Sequence, residues 1–408
     1  MPIQSDGVRL SRADRPTTDA QVLVMVVLAL LAVGVLLVYS ATRTLAPASG
    51  GSLFARHLLF LPVALVAMAF GAAVPYRWLS RGWVAVGILA AAVALLALVL
   101  LFGDAVNGAR RWFSVTVAGM RISFQPSEFA KVALVVFLAW FLSRPRALVR
   151  SYRRTFVPAM AATAVVCTLI VKEDFGTAAL VGLVAAVVCL LAGCRWWHFL
   201  TVLPVAALGF YVTVVRVPYR WERIIAFVDP WRYQDGAGWH ITQSLMGIGR
   251  GGLLGVGLGM GVQKYYIPEC ETDFIFAVLA EEMGLLGALL VLGLFGVLVW
   301  RAGRVVRDAA DRFGFLLAAG MLLTIGLQAV MNIGVVTGAL PAKGIGLPFI
   351  SYGGSGLVMM SLAAGLIASV ARYRASAGAL AWPPLRLGAP VPERQRTRFG
   401  RPEVAPHA

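Results

Sequence analysis

Charged residues are scarce in this sequence: they make up 13% of the 408 residues, whereas 60% are hydrophobic. Soluble domains carry roughly 25% charged residues, so this composition excludes an ordinary soluble protein and indicates a membrane protein. Cysteine and histidine are also rare, with four of each, and they are scattered along the chain without metal-ligand spacing. We therefore predict neither a disulfide framework nor a zinc site.

Long apolar runs occur ten times, and each is close to the roughly 20 residues that a membrane-spanning helix needs. They are centred at about 30, 63, 92, 135, 163, 184, 206, 288, 325 and 363. The sequence therefore predicts an all-α polytopic membrane protein with about ten transmembrane helices. The first run, Ala20 to Ser40, exceeds the roughly 7 to 15 apolar residues of a signal peptide, which favours a retained helix over a cleaved one.

The positive charge has a topological explanation. Most of the 36 lysines and arginines fall in alternate connecting segments, and cytoplasmic segments of membrane proteins are enriched in these residues. This pattern predicts that both termini are cytoplasmic. The net charge of +17 is thereby accounted for, and we predict no nucleic-acid partner.

Composition divides the chain into three parts. Residues 1–19 form a polar cytoplasmic tail, residues 20–374 the transmembrane domain, and residues 375–408 a basic, disordered cytoplasmic tail rich in proline and glycine. A long outer loop, 216–272, separates predicted helices 7 and 8. Its aromatic residues favour the membrane interface, and its segments YRWERIIAFVDPW and WHITQSLMGIG are typical of short amphipathic helices. A shorter outer loop is predicted from Gly103 to Gln125.

Familiar nucleotide and hydrolase motifs do not account for the polar residues. The stretch from Gly247 to Gly252 matches G-x-G-x-x-G, but that fingerprint requires a preceding buried strand and a βαβ unit, which the sequence does not predict. A glycine-rich turn through Gly255, Gly257, Gly259 and Gly261 is the better interpretation. The sequence contains neither a Walker A motif nor a G-x-S-x-G motif.

Two charged residues lie at the start of the fourth predicted helix, in QPSEFAKVAL. Pro126 fits the first helical position, so Glu128 falls in the first turn, where the helix dipole favours it. Lys131 follows three residues later. The pair could be a structural ion pair on one helix face, or it could line a polar cavity, since ionisable groups at such depth face protein or water.

Two further polar segments return to the same predicted side. In VKEDFGTAAL, Asp174 stands before a glycine and favours a tight turn and a helix cap. In GALPAKGIGLPFISYGGSG, Lys343 and Ser355 lie among glycines and prolines. These glycines could let backbone N–H groups approach a ligand, or they could shape a re-entrant turn.

The stretch PECETDFIFAVLAEEMG places Asp273 at the start of the eighth predicted helix, with Glu281 and Glu282 inside its apolar run. At roughly 1.5 Å per residue, the two glutamates lie about 12 to 14 Å further along than Asp273. We predict that Asp273 reaches a substrate at the interface and that the two glutamates cap or pair with polar groups between helices. A carboxylate beside apolar surface tends to have a raised pKa, which suits a general base.

These segments together resemble the SEDS family of shape, elongation, division and sporulation proteins, to which FtsW and RodA belong. The resemblance extends from Tyr39 to Gly356, and its stretches occur in the family's order: YSAT, NGARRW, QPSEFAK, DFGTA, ITQSLMGIGRGG, GLGMGVQKYYIPE, TDFIFAVLAEEMG and LPAKGIGLPFISYGGSG. The stretches VQKYYIPE and PAKG are similar to FtsW and its sporulation relatives more than to RodA.

The resemblance implies a peptidoglycan glycosyltransferase of the bacterial cytoplasmic membrane that polymerises lipid II into glycan strands at the outer face. It also implies a class B penicillin-binding transpeptidase and other divisome or elongasome proteins as partners, with a septal role for an FtsW-like member. The family's essential aspartate matches Asp273, and Arg111, Glu128, Lys131 and Ser355 fall in its recurrent polar motifs. We expect these four residues and Lys343 to bind the substrate or its diphosphate.

The mechanism that we predict uses a single base. Asp273 accepts the proton of the acceptor sugar's 4-hydroxyl, while Arg111, Lys131 and Lys343, or a divalent cation such as Mg²⁺ or Mn²⁺, hold the departing diphosphate. One direct displacement inverts the anomeric centre and needs no second catalytic carboxylate.

Two other readings of the polar residues remain open. The protein could be a transporter that flips a lipid-linked sugar, or a scaffold that only recruits a transpeptidase. This sequence also departs from the family's pattern: Lys172 and Glu173 replace a usual Gln-Pro, Glu271 replaces His or Gln, and Gly356 replaces a serine.

Overall fold

The computed structural model describes residues 18–43, 47–106, 109–117 and 120–373. The predicted tails lie outside these residues, except that Thr18 and Asp19 already belong to the first helix. The main elements alternate between long apolar helices and shorter connecting pieces. The helices are α1 (Thr18–Thr42), α2 (Pro47–Ala73), α3 (Gly82–Phe102), α4 (Pro126–Leu142), α5 (Arg146–Val149), α6 (Val157–Val171), α7 (Phe175–Ala192), α8 (Leu203–Phe210), α9 (Pro218–Val228), α10 (Trp239–Gly251), α11 (Ile275–Arg307), α12 (Arg312–Val336) and α13 (Gly354–Ala371).

Nine helical segments in the described ranges are long and apolar enough to cross a membrane. Two of them extend beyond a single α-helix: Tyr152–Val171 begins with a π-helical turn before α6, and Trp196–Val215 joins α8 to a 3₁₀ turn and a π-helical turn. The remaining predicted span, the fourth in chain order, is α4, which has 17 residues and carries Glu128 and Lys131 near its N-terminus. The predicted polytopic helical architecture is confirmed.

The loop after α3 contains a small antiparallel sheet that the all-helical prediction did not include. Its strands are β1 (Asp104–Val106), β2 (Ala109–Val117) and β3 (Met120–Phe124), in the order β1-β2-β3. Phe113 pairs with Phe124, and Val115 pairs with Ile122. Aromatic and β-branched residues favour such cross-strand pairs, so short strands form within this loop.

Small residues bring the α2 and α13 helices into close contact. A Cβ atom added to Gly365 of α13 would lie 2.2 Å from the carbonyl oxygen of Met68 in α2, and one added to Gly71 would lie 2.8 Å from that of Leu362. Glycines at such contacts let helix backbones approach closely inside a membrane. The two helices are thereby fixed side by side, next to the loop that follows α12.

The long segment 216–272 contains the two predicted amphipathic helices, observed as α9 and α10. A glycine-rich turn follows α10, with Gly252, Gly255, Gly257 and Gly259 all at positive φ. Helix α11 is broken at Gly284, whose φ is 64°. A Cβ atom at Gly284 would lie 2.3 Å from the backbone nitrogen of Gly255, so the glycine turn packs directly into the break.

Polar contacts mark the two ends of α1. Asp19 binds Arg301 of α11 at 2.9 Å, and Ser40 donates a hydrogen bond of 2.6 Å to Glu282. The helix rises by about 30 Å between these residues at roughly 1.5 Å per residue, which matches the roughly 30 Å of a hydrocarbon core. By this measure Glu282, although it stands within the apolar run of α11, lies near one edge of the apolar layer.

Candidate functional site

A cavity of about 1110 Å³ lies where the ends of several helices meet the β-sheet, α9 and the loop between α12 and α13. Four of the six predicted site residues line it: Asp273, Arg111, Glu128 and Lys343. Lys131 and Ser355 do not line it. The charged and aromatic residues of its wall come from parts of the chain more than two hundred residues apart, which only the folded protein brings together.

Asp273 stands two residues before α11 and is partly buried in the cavity wall. Burial raises the pKa of its carboxyl from 3.8 to about 8, and the negative charges of Glu269 and Asp174 contribute to the rise, while Arg111 and Arg223 oppose it. A carboxyl group with such a pKa can exchange a proton with a substrate hydroxyl near neutral pH. These surroundings suit the predicted general base.

Asp174 has both a structural and an electrostatic role. Its Oδ1 atom accepts a hydrogen bond of 2.9 Å from the backbone N–H of Thr177, and its Oδ2 accepts another from the Thr177 hydroxyl, which confirms the predicted cap of α7. Its carboxylate also lies 3.9 Å from the guanidinium of Arg111 on β2. The Nε atom of Arg111 is buried and makes no hydrogen bond to any described residue, so this guanidinium retains donor capacity beside the cavity.

Glu128 and Lys131 form the predicted ion pair, with 2.8 Å between Lys131 Nζ and Glu128 Oε1. The ammonium of Lys131 also donates to Gln328 of α12 at 2.6 Å. Lys131 is only 3% exposed and lies behind the cavity wall. Glu128 lines the cavity, and its second oxygen, Oε2, is buried with no hydrogen-bond partner in the described part of the chain. Both interpretations of the pair therefore hold in part. The two residues form a structural ion pair, and Lys131 supports a carboxylate that faces the cavity.

Lys343 and Ser355 occupy different positions around the site. Lys343 lines the cavity with its Nζ atom 5.0 Å from the ring centroid of Phe175, and burial lowers the pKa of its ammonium. Ser355 accepts a hydrogen bond of 3.3 Å from the backbone N–H of Gln125, just before α4. Ser355 thus joins α13 to the start of α4, and its predicted contact with substrate stays a prediction.

Several cavity residues were not predicted from the sequence. The wall also contains the following polar residues: Arg56, Lys172, Arg220, Arg223, His240, Glu269, Glu271 and Tyr352. Arg220 and Arg223 have the i,i+3 spacing of one helix face on α9, which was the available signal. Arg220 also donates to the carbonyl oxygens of Lys172 and Thr213, so α9 is tied to the C-terminal end of α6 and covers one side of the cavity.

Glu281 and Glu282 pair and cap as predicted. Glu282 Oε1 lies 2.7 Å from the ammonium of Lys264, and both side chains are almost completely buried. Glu281 accepts hydrogen bonds from the backbone N–H groups of Val262 and Gln263. The two carboxylates therefore hold the chain between the glycine turn and Asp273 against α11, and they do not line the cavity.

A divalent cation was expected as a helper in the reaction. Across the part of the chain that the structure describes, no group of three or more histidine, cysteine, aspartate or glutamate residues is arranged to hold a metal ion. Magnesium commonly binds through one or two carboxylates together with substrate phosphates. The expected divalent cation therefore stays a prediction.

Comparison with known proteins gives a consistent result. The family model of FtsW, RodA and SpoVE, described as cell cycle protein, matches residues 20–376. Stage V sporulation protein E of Bacillus subtilis is 40% identical over 366 residues, which cover 88% of this chain and 98% of that protein. A probable peptidoglycan glycosyltransferase FtsW of Coxiella burnetii is 40% identical over 360 residues, which cover 86% of this chain and 95% of that protein.

Solved structures show the same architecture. A chain of a peptidoglycan synthase complex, described for its coordination of polymerization and crosslinking, matches with a TM-score of 0.71 and 30% identity, over 86% of this chain and 96% of that one. The rod shape determining protein RodA of Thermus thermophilus matches with a TM-score of 0.63 and 31% identity, over 87% and 97% of the two chains.

The fold and the cavity define a polytopic α-helical integral membrane protein with a polar site at the ends of its helices. Within that class, the chain belongs to the FtsW, RodA and SpoVE family, because the family model matches most of its length and relatives with 40% identity cover 86–88% of it. The resemblance drawn from the sequence motifs is thereby confirmed.

Proposed function

We propose that this protein is a peptidoglycan glycosyltransferase that polymerises lipid II into glycan strands at the outer face of the cytoplasmic membrane. The observation that carries this proposal is the position of the Asp273 carboxyl, which lies partly buried in the wall of a large cavity. Burial raises the pKa of this carboxyl to about 8. The names of the FtsW relatives support the same activity.

The cavity's own residues supply each requirement of an inverting transfer. Asp273 takes the proton from the acceptor's 4-hydroxyl as that oxygen attacks the anomeric carbon, and the bond to the donor's diphosphate breaks. Arg111 and Lys343 neutralise the charge that develops on the leaving diphosphate, aided by Arg220 and Arg223 of α9. A cation bound with the diphosphate would add positive charge at the same place.

For Glu128 and Lys131 we propose roles other than holding the diphosphate. A carboxylate repels a diphosphate, whereas the buried Oε2 atom of Glu128, which no described residue hydrogen-bonds, suits a hydroxyl or amide N–H of the sugar or its peptide. Lys131, 2.8 Å from the other oxygen, balances the charge of Glu128. Lys131 then acts on the substrate through Glu128 rather than by touching diphosphate.

A class B penicillin-binding transpeptidase is the partner that we propose, together with other divisome or elongasome proteins. The match to a chain from a peptidoglycan synthase complex supports this assignment. The FtsW names among the relatives favour a septal role over elongation, and the similarity to stage V sporulation protein E leaves sporulation as the neighbouring alternative.

The experiment that tests the function uses the purified full-length protein with lipid II, with and without a class B transpeptidase. Glycan strands in either condition support the proposal. If no strands form and lipid II instead crosses the bilayer of proteoliposomes, the protein is a transporter and the proposal is wrong.

The pH dependence of polymerisation should follow the carboxyl of Asp273. The base works only when ionised, and a raised pKa means that ionisation rises through pH 8, so kcat/KM should increase with pH with a midpoint near 8. Glu269→Gln removes a negative charge that raises this pKa, and the midpoint should therefore move to lower pH. Initial rates of glycan strand formation between about pH 6 and pH 9.5 measure the midpoint for the unaltered protein and for Glu269→Gln.

The matched control for this shift is Glu222→Gln, which removes the same charge from an exposed side chain of α9 outside the cavity wall. Its profile should coincide with that of the unaltered protein. A Glu269→Gln profile that stays unchanged, or moves to higher pH, would contradict the electrostatic argument.

Gly344 should be required for the placement of the base. A Cβ atom at this position would lie 2.9 Å from Oδ2 of Asp273, so Gly344→Ala pushes the carboxylate away. A misplacement on the order of 1 Å can cost about 100-fold in rate, and we expect kcat to fall about 10- to 100-fold with normal folding. Gly249→Ala is the control, because a Cβ there meets open space; equal rates for both variants would refute the prediction.

A further inference from the structure

The loop between α12 and α13 is fastened to the chain around Asp273 by one buried amide. The Nδ2 atom of Asn332, on α12, donates to the carbonyl oxygen of Asp273 at 2.7 Å and to that of Ile345 at 2.7 Å. One NH₂ group therefore joins two segments that lie far apart in the sequence. We refer to residues 341–352 as the site loop.

A second side chain makes the same connection from within the site loop. The hydroxyl of Ser351 donates to the carbonyl oxygen of Thr272 and accepts from the backbone N–H of Leu347 at 2.7 Å. The next residue adds a main-chain bond, from Tyr352 N–H to the carbonyl oxygen of Glu271 at 2.8 Å. The site loop is thus held along residues 271–273 at three consecutive carbonyl groups.

Both connected segments contain strained backbone. Among the described residues, Glu269 at φ 55° and Phe349 at φ 66° are the residues other than glycine with positive φ. Such conformations persist only where the surroundings enforce them, and they are concentrated at functional sites. One of them lies on each side of the contact that Asn332 and Ser351 make, so these bonds restrain chain segments that would otherwise relax.

Packing alone does not explain Asn332. The residue is 1% exposed, and its Oδ1 atom is buried with no hydrogen-bond partner among the residues that the structure describes. An apolar side chain of similar size would avoid the cost of burying that oxygen. The amide is accounted for by its donors, which reach the main chain of the proposed base and the loop that carries Lys343 and Gly344.

We propose that Asn332 and Ser351 are positioning residues, which hold the site loop against Thr272 and Asp273 and so fix the distance between the base and Lys343. This proposal rests on the proposed function, because it assigns these residues to the reaction of Asp273. Gly344 lies against the Asp273 carboxylate, so any movement of the loop relative to residues 271–273 changes the position of that carboxylate.

The test compares Asn332→Leu and Ser351→Ala with the unaltered full-length protein in lipid nanodiscs. Hydrogen exchange of residues 341–352 should become at least about tenfold faster in both variants. In lipid II polymerisation, kcat should fall at least about tenfold while KM changes less than about threefold, because Arg111 on β2 is untouched and geometry, not binding, is lost. The control, Thr163→Val, removes a buried hydrogen bond within α6 and should change neither quantity.

The proposal would be overturned if hydrogen exchange were unchanged in both variants, or if kcat stayed within about twofold of the unaltered protein. A fall in kcat/KM that comes from KM alone would also overturn it. If Asn332→Leu does not fold, the results for Ser351→Ala decide whether the proposal holds, since this variant deletes only one oxygen. If the unaltered protein forms no glycan strands at all, the proposed function fails, and the exchange measurement still establishes whether these side chains hold the loop.

Discussion

Asp273→Asn should lower the rate of glycan strand formation by about 100- to 10,000-fold, the usual contribution of a general base. The amide is nearly the same size as the carboxyl but cannot accept the hydroxyl proton, so the fold and lipid II binding should persist. The measurement is lipid II polymerisation by purified protein with a class B transpeptidase present, together with a lipid II binding assay on the same preparations.

Asp229→Asn is the matched control for that result. Asp229 lies at the end of α9, where its Oδ1 atom accepts a hydrogen bond from the backbone N–H of Arg232, and it is outside the cavity wall. We expect it to polymerise at close to the normal rate. If Asp273→Asn polymerises within about threefold of the unaltered protein at equal binding, another group is the base.

Lys264→Met should destabilise the protein by about 3 to 5 kcal/mol, because it leaves a buried carboxylate without its cation. Lys264 Nζ lies 2.7 Å from Glu282 and also donates to Ser40 and to the carbonyl oxygen of Gly259. These bonds join α1, the glycine turn and α11 at the edge of the apolar layer. Thermal unfolding in detergent, followed by circular dichroism, measures the loss.

The double variant Lys264→Met with Glu282→Gln tests whether the unpaired carboxylate of Glu282 causes the loss of stability. It removes the uncompensated charge, so most of the stability should return if the unpaired carboxylate is the cause. Lys172→Met is the control, because Lys172 is exposed and should change stability by less than about 0.5 kcal/mol. A single variant as stable as the unaltered protein would mean that Lys264 and Glu282 contribute no net attraction.

The helices were predictable because their signal is local. An apolar run of about 20 residues has few alternatives to a spanning helix, and each of the ten predicted centres falls in a helical segment. The β-sheet after α3 was missed because strand pairing depends on contacts between segments, which the local pattern of residues does not reveal. The break at Gly284 was missed because it depends on close contact with Gly255, far away in the sequence.

The site was predictable only in part. Asp273, Glu128 and Lys343 were found because motifs and unusual charges mark them within apolar surroundings. Lys131 was found as well, but its place behind the wall follows from Gln328 on another helix. Asn332 carried no signal at all, since a single asparagine in an apolar helix does not reveal which carbonyl groups it binds.

The sequence by itself determined that the protein spans a membrane, where its helices run and to which family it belongs, because these properties follow from local composition and from the order of motifs. Only the tertiary structure decided which charges meet. Asp273, Glu269, Asp174 and Arg111 come from separate parts of the chain, and electrostatic interactions depend on distance in space and on burial. The pKa of the proposed base is therefore a property of the folded chain.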